Sequence, residues 1–176
     1  MILKTLEEEM SFYAAYHSNK VNKLFHFVGV PMITFSILVL LGWLRFEIAN
    51  DFEITLAILL VLAMLGYYFY LDIPLAIGMT LILSLLLYGA ELVSQMPIWS
   101  TGVMVALLTQ VVGWILQLIG HMFEGRKPAL LDNFFQVIIA PLFLMAEVFF
   151  ILGLKHDVRD KVEEMKKAYL PSASVS

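Results

Sequence analysis

Long apolar stretches almost free of charge decide what this chain can fold into. Leu24–Leu44, Ile54–Leu71 and Ile73–Ala90 contain no Asp, Glu, Lys or Arg. Leu92–Gly120 is equally apolar but is divided by Gln95-Met96-Pro97. Its first residues complete the third stretch, and Ile98–Gly120 makes the fourth. Phe134–Leu154 is the fifth, with one charge at Glu147. About 20 apolar residues cross the hydrocarbon of a bilayer. Backbone polar groups there must be satisfied within the segment, so each stretch reads as a helix. Composition agrees. Of the residues, 61% are hydrophobic and 15% charged, against about 45–50% and about 25% in soluble domains. The expected fold class is all-α, an integral membrane bundle of about five hydrophobic helices. A single domain is expected over residues 1–170, with a disordered tail at 171–176. Its place is the lipid bilayer, a bacterial inner membrane or, in a eukaryote, the endoplasmic reticulum.

Residues 1–23 are polar. Glu7, Glu8 and Glu9 precede Phe12, Tyr13 and Tyr16, the pattern of an N-terminal interfacial helix with rings at headgroup depth. Arg45–Glu53 reads as a polar loop. Asp72-Ile73-Pro74 leaves room only for a tight hairpin between the second and third spans. The segment from Lys155 to Ala168 reads as a surface helix.

Two rules conflict over the fifth stretch. Its length suits a span, which puts the C-terminal segment opposite the N-terminus. Lys and Arg would then divide as five (Lys4, Lys20, Lys23, Arg126, Lys127) against six (Arg45, Lys155, Arg159, Lys161, Lys166, Lys167). If it returns to its own side, bent at Pro141, the division becomes ten against one, which the positive-inside rule favours. Length is given precedence here, so five spans are expected. On either topology His26 and His121 share one face, with His17 in the segment just before.

Those histidines are the chemical content of the chain. It has four in all and no cysteine, which excludes disulfides, thiolate haem, iron–sulfur clusters and cysteine zinc sites. The net charge of −4 speaks against nucleic acid as a partner, which wants a basic patch. Ionisable groups beside a bilayer are costly and usually functional, so His17, His26 and His121 are read as ligands of one metal ion. On a straight helix His17 and His26 would stand half a turn out of phase and about 13 Å apart, so the chain must break between them. Ser18-Asn19-Lys20-Val21-Asn22 offers the break, with Asn19 or Asn22 as the next cap. Gln110, Gln117, His121 and Glu124 share one face of the fourth span. Gln117, Glu124 and Asn22 are candidates to orient a ligand, and Glu124 is also a candidate ligand. Arg126 and Lys127 read as headgroup anchors or as guides for a substrate carboxylate. Glu91 and Glu147 are further buried carboxylates. His156, between Lys155 and Asp157, reads as solvated. Imidazole ligation suits iron, zinc, copper or nickel, so ligand type alone does not select the metal.

Two segments carry a family resemblance. One runs Phe12-Tyr-Ala-Ala-Tyr16-His17-Ser-Asn19-Lys-Val-Asn22 through His26 to Gly29-Val-Pro31. The other runs Gly113-Trp114 through Gln117, Gly120-His121-Met-Phe-Glu124-Gly-Arg126-Lys-Pro128-Ala-Leu-Leu-Asp132-Asn133 to Glu147. Together they resemble the small membrane 2-hydroxy-fatty-acid dioxygenases of fungal fatty-acid α-oxidation and their bacterial relatives. The resemblance implies an Fe(II) enzyme using O2 and a long-chain 2-hydroxy fatty acid. His17, His26 and His121 carry over as the histidines needed for iron, with Glu124 and Asn133 as nearby polar groups. Met122-Phe123 is one residue shorter than the family spacing, which leaves the role of Glu124 open. Two rival readings stand beside it. One is a haem-binding electron carrier with His26 and His121 as axial ligands. The other is a non-enzymatic membrane scaffold with hydrogen-bonded histidines.

Overall fold

In a computed structural model, residues 4–49, 52–97 and 101–170 are described. The expected tail at 171–176 lies outside them. Seven α-helices follow in order: α1 Leu6–Ala14, α2 Lys20–Gly42, α3 Leu56–Leu71, α4 Ile73–Ser94, α5 Val103–Glu124, α6 Gln136–Ile151 and α7 His156–Met165. The all-α membrane bundle expected from hydropathy is the fold found. α2, α4 and α5 are each long and apolar enough to cross a membrane, and α3 and α6 are shorter apolar helices.

The described residues of Arg45–Glu53 do not form a loop. They belong to an antiparallel ribbon, β1 Arg45–Ala49 paired with β2 Phe52–Thr55. Phe46-Glu47-Ile48 alternates apolar and polar side chains, the period-2 pattern of a strand. The ribbon joins α2 to α3 on the face opposite the histidines. It is tied to α4 there, because Glu91 accepts from Arg45 (3.0 Å) and Thr55 (2.5 Å). At the histidine face the α3–α4 hairpin turns on Asp72, whose Oδ1 caps the Leu75 N–H at 3.0 Å.

α2 and α5 form the most intimate pair. Lipid offers no hydrophobic drive between helices, so close approach through small residues must supply the contact. A Cβ on Gly29 would stand 3.0 Å from the Gly113 carbonyl oxygen, and one on Gly120 would meet the Asn22 Oδ1 at 2.5 Å. Ser36 donates to the Ala106 carbonyl at 2.8 Å. His26 lies one turn beyond Asn22, and His121 follows Gly120, so this seam sets the distance between the two rings. Gly120→Ala is expected to cost about 1–3 kcal/mol by overpacking and to lower the thermal midpoint. Unchanged melting in detergent would show the seam to be looser than this.

α6 does not span. Its first residue, Gln136, donates to Glu9 of α1 at 3.3 Å. Glu147, near its other end, pairs with Lys23 in the first turn of α2 at 2.5 Å. Just beyond, Lys155 pairs with Asp72. All three partners lie on the histidine face, so α6 leaves and rejoins that face, and five spans are not formed. Hydropathy misleads here because a helix buried under others is as apolar as one in lipid. The Lys and Arg division is therefore ten against one, and the charge rule outweighed length.

The N-terminal helix lies across the histidine end of the bundle. Thr5 and Glu8 form a reciprocal capping box. Leu6, Met10, Tyr13 and Ala14 are buried, so α1 closes the histidine face. α7 packs on its outer side through Val162, with Lys161 near Glu7 at 3.5 Å. Tyr68 is fully buried and donates to the Ile138 carbonyl at 2.5 Å.

Candidate metal centre

Three elements carry the histidines. His17 sits in the break after α1, His26 in the second turn of α2 and His121 in the last turn of α5. The break is made as the local residues dictate. Asn19 takes an extended backbone, and its side chain accepts from the Val21 N–H at 2.8 Å, capping α2. The chain turns there, and the distance imposed by a straight helix disappears. Nitrogens of His17, His26 and His121 lie within 4.8 Å of one another, and all three residues are buried. Their ring centroids are 4.4, 4.9 and 5.0 Å apart.

The hydrogen bonds set the tautomers. His17 Nδ1 lies 2.8 Å from the Tyr13 carbonyl oxygen, and His26 Nδ1 lies 2.9 Å from that of Asn22. Carbonyls only accept, so both Nδ1 atoms carry hydrogen. Both Nε2 atoms are then lone-pair acceptors, yet they face each other at 2.9 Å. Two acceptors at that distance repel unless a cation lies between or beside them. The His17 ring is also stacked on the Tyr13 ring, with centroids 3.9 Å apart and planes 6° from parallel. His121 adds a third ring at this point, and its buried Nδ1 has no hydrogen-bond partner among the described residues.

A proton is a poor candidate for that cation. Burial pushes the His17 imidazole well below its ordinary value of 6.5, and neighbouring His26 adds to the shift. A metal fits better. Nitrogens at adjacent positions about 2.1 Å from one ion stand about 3 Å apart, which is the separation of the two Nε2 atoms. The depressed His17 also has a pH consequence. Below about 6.5 the unfolded chain binds a proton at this residue that the folded chain refuses, so stability falls as pH falls. The thermal midpoint of metal-free protein is expected to drop between about pH 7 and about pH 5, with a shallower slope in His17→Gln. Asp132, held low by Lys127 beside it, contributes nothing in that window because its ordinary value is 3.8. A flat profile in the parent chain would count against a buried neutral His17.

A cavity of about 60 Å³ adjoins the rings. Tyr13, His17, His26, Gln117, His121 and Gln136 supply its polar groups, and Val30, Trp114 and Val137 are among its apolar walls. Gln117 Nε2 and Gln136 Oε1 are buried with no hydrogen-bond partner among the described residues. Gln136 was not among the residues singled out from the sequence. Its signal is an amide opening an otherwise apolar helix. The volume accommodates an ion and a small polar group but not a porphyrin between His26 and His121.

The other candidate residues take different places. Both oxygens of Glu124 are occupied, accepting from the Ser18 N–H (2.9 Å), the Asn19 N–H (2.8 Å) and Asn22 Nδ2 (3.0 Å). Asn22 thus joins Glu124 to His26, since its own carbonyl holds the His26 ring. Asn133 caps the turn before α6 by accepting from the Phe135 N–H at 3.1 Å. Arg126 lies over the Tyr16 ring at 4.1 Å and donates to the Ala15 carbonyl and, at 3.2 Å, to that of Tyr169. Lys127 pairs with Asp132, which also accepts from the Tyr16 hydroxyl at 2.6 Å. Neither cation lines the cavity. Glu91 and Glu147 are consumed in the ion pairs described above, and His156 is exposed on α7.

The family whose members are described as 2-hydroxy-palmitic acid dioxygenase Mpo1-like matches residues 3–152. The chain belongs to the Mpo1-like family. Among curated proteins, the 2-hydroxy-palmitic acid dioxygenase MPO1 of Saccharomyces cerevisiae is 34% identical over 175 residues, covering 93% of this chain and 95% of that protein. No solved structure matches it. The Mpo1-like match takes in all three histidines, Gln117, Glu124 and Gln136, and ends just before α7.

Proposed function

We propose that this chain is a non-haem, Fe(II)-dependent dioxygenase that converts a 2-hydroxy fatty acid and O2 to the fatty acid one carbon shorter, CO2 and water. The equation balances without an outside electron donor, so no reductase partner is required. The observation that carries the reading is the opposed pair of Nε2 lone pairs at 2.9 Å, with a third unpartnered ring nitrogen beside them. The yeast relative, named as acting on 2-hydroxy-palmitic acid, supplies the substrate class.

His17, His26 and His121 would hold the ion, and Fe(II) bound there would supply the one-electron chemistry that lets O2 react with a closed-shell acid. The chain's own groups do the positioning. The Tyr13 and Asn22 carbonyls keep both Nδ1–H groups turned away, so two Nε2 lone pairs are presented without rotation. Gln117 Nε2 is a free donor for a substrate carboxylate, and Gln136 Oε1 a free acceptor for a 2-hydroxyl proton. Arg126 and Lys127 hold the surrounding loops and leave substrate recognition to the two amides. The apolar walls exclude bulk water, which strengthens each of these polar contacts. With ten Lys and Arg on the histidine face, that face is cytoplasmic.

Protein loaded with Fe(II) in nanodiscs is expected to shorten 2-hydroxypalmitate to pentadecanoate, with one O2 consumed and one CO2 released per acid. Iron-loaded, folded protein that leaves 2-hydroxy acids of every chain length intact would refute the assignment.

A further inference from the structure

A second cavity, of about 220 Å³, lies between α2, α4 and α6. Its walls are almost wholly apolar: Phe27, Val30 and Pro31 from α2, Met79 and Leu83 from α4, and Leu144 from α6 are among them. Apolar cavities of about 150 Å³ stay dry and accept a hydrocarbon guest. We propose that this cavity holds the alkyl chain of the 2-hydroxy acid whose polar end lies among the three histidines. The proposal rests on the dioxygenase reading for the identity of the polar end.

Adjacency of the two cavities carries the argument. Val30 and Thr34 line both. Along α6 the lining passes from Gln136, Val137 and Ala140 in the histidine cavity to Pro141, Leu144 and Met145 in the apolar one. One face of one helix therefore runs from unpartnered amide to hydrocarbon, which is the polarity of a fatty acid. Both interior helix prolines, Pro31 and Pro141, fall on this cavity. Each removes a backbone N–H from its helix, and such positions are where helices open or bend. Two of its lining residues, Ile82 and Val148, are each 37% exposed, which offers the chain a sideways entry from the bilayer. No water-filled route is needed, and each methylene moves from lipid to protein without exposure. The apolar end of the cavity then sets which chain lengths fit.

Two measurements test this in the full-length protein in phospholipid nanodiscs. In the first, a 2-hydroxy fatty acid with a diazirine near its methyl end is photolysed without O2, and the adducts are mapped by mass spectrometry. Adducts on Leu83, Leu144 or Met145, removed by excess 2-hydroxypalmitate, are expected. Adducts only on outward residues such as Leu81 or Leu118 overturn the proposal. So do cavity adducts that excess 2-hydroxypalmitate leaves in place, because the occupant is then bilayer lipid. The second measurement compares turnover of 2-hydroxypalmitate and 2-hydroxyoctanoate. Leu144→Trp fills the cavity, and the half-exposed Ile82→Trp, which threatens folding less, narrows its mouth. Each is expected to lower the long-to-short ratio of kcat/KM by about tenfold or more with metal content unchanged. An unchanged ratio in folded Ile82→Trp overturns the proposal. The two readings separate cleanly. Cavity adducts without turnover keep the binding site and reject the dioxygenase, whereas turnover with adducts elsewhere does the reverse.

Discussion

Replacing His121 by alanine is expected to abolish metal binding and turnover together while leaving the protein folded. His121 is held by α5, whose backbone packing against α2 runs through Gly29, Gly113 and Ser36, while its ring meets only the other two imidazoles among the ring contacts described. Its Nδ1 makes no hydrogen bond among the described residues, so the substitution deletes a potential ligand without stranding a partner. The His17 and His26 variants are less clean, because each ring also donates to a backbone carbonyl and fills buried space. Partners that only orient a ligand typically cost 10–100-fold when removed, so loss of the ligand itself should cost at least about a hundredfold. The measurement is metal per chain after reconstitution, read beside O2-dependent decarboxylation. Full metal occupancy in His121→Ala would remove that ring from the coordination set. Full activity would go further and favour the scaffold reading, in which the histidines only fill hydrogen bonds. A haem carrier would be recognised by a Soret band, for which the 60 Å³ cavity gives no room.

How much of this was legible depended on what each residue could be mistaken for. The histidine cluster was legible because the chain has few polar groups at its apolar ends, so topology alone brought three rings to one face. The break between His17 and His26 was legible too. Asparagine caps a helix start far better than it continues one, and Asn19 does so. α6 was not legible, since Phe134–Leu154 has the same hydropathy whether lipid or protein surrounds it. Only its contacts with Glu9 and Lys23, and the Lys155–Asp72 pair just beyond it, reveal that it returns. Arg126 and Lys127 read as headgroup anchors or as substrate guides, because a guanidinium and an ammonium near a site suit a phosphate or a carboxylate alike. In the structure both also have protein partners, carbonyls for one and Asp132 for the other. Gln136 was overlooked for the opposite reason, as one uncharged amide carries little weight in a sequence scan. Burial without a partner gives it weight.

Glu124 is the residue whose chemistry the sequence left most open, and its variants should separate two roles. Its carboxylate accepts from two backbone N–H groups of the segment that joins α1 to α2 and from Asn22 Nδ2 in the first turn of α2. It therefore fixes His17, which lies in that segment next to Ser18, and His26, through Asn22, and makes no hydrogen bond to either ring. Hydrogen bonds to a charged group are worth about 1.5–3 kcal/mol each, and the exposed Ser18 contact is worth the least. With the Ser18 contact resolvated and the two part-buried contacts at the low end of that range, Glu124→Ala is expected to cost about 3 kcal/mol in all, a fall of about 6–12 °C in thermal midpoint for a chain of this size. Glu124→Gln keeps one acceptor oxygen and should lose about half as much. Metal binding then tells latch from ligand. A latch that only orients two histidines loses about 10–100-fold in affinity, so Glu124→Gln regains full occupancy and turnover when metal is raised. A ligand leaves the coordination set one donor short, and excess metal does not restore activity. Recovery in excess Fe(II) is the expected result, because a carboxylate already engaged by three N–H donors has little lone-pair density left for an ion.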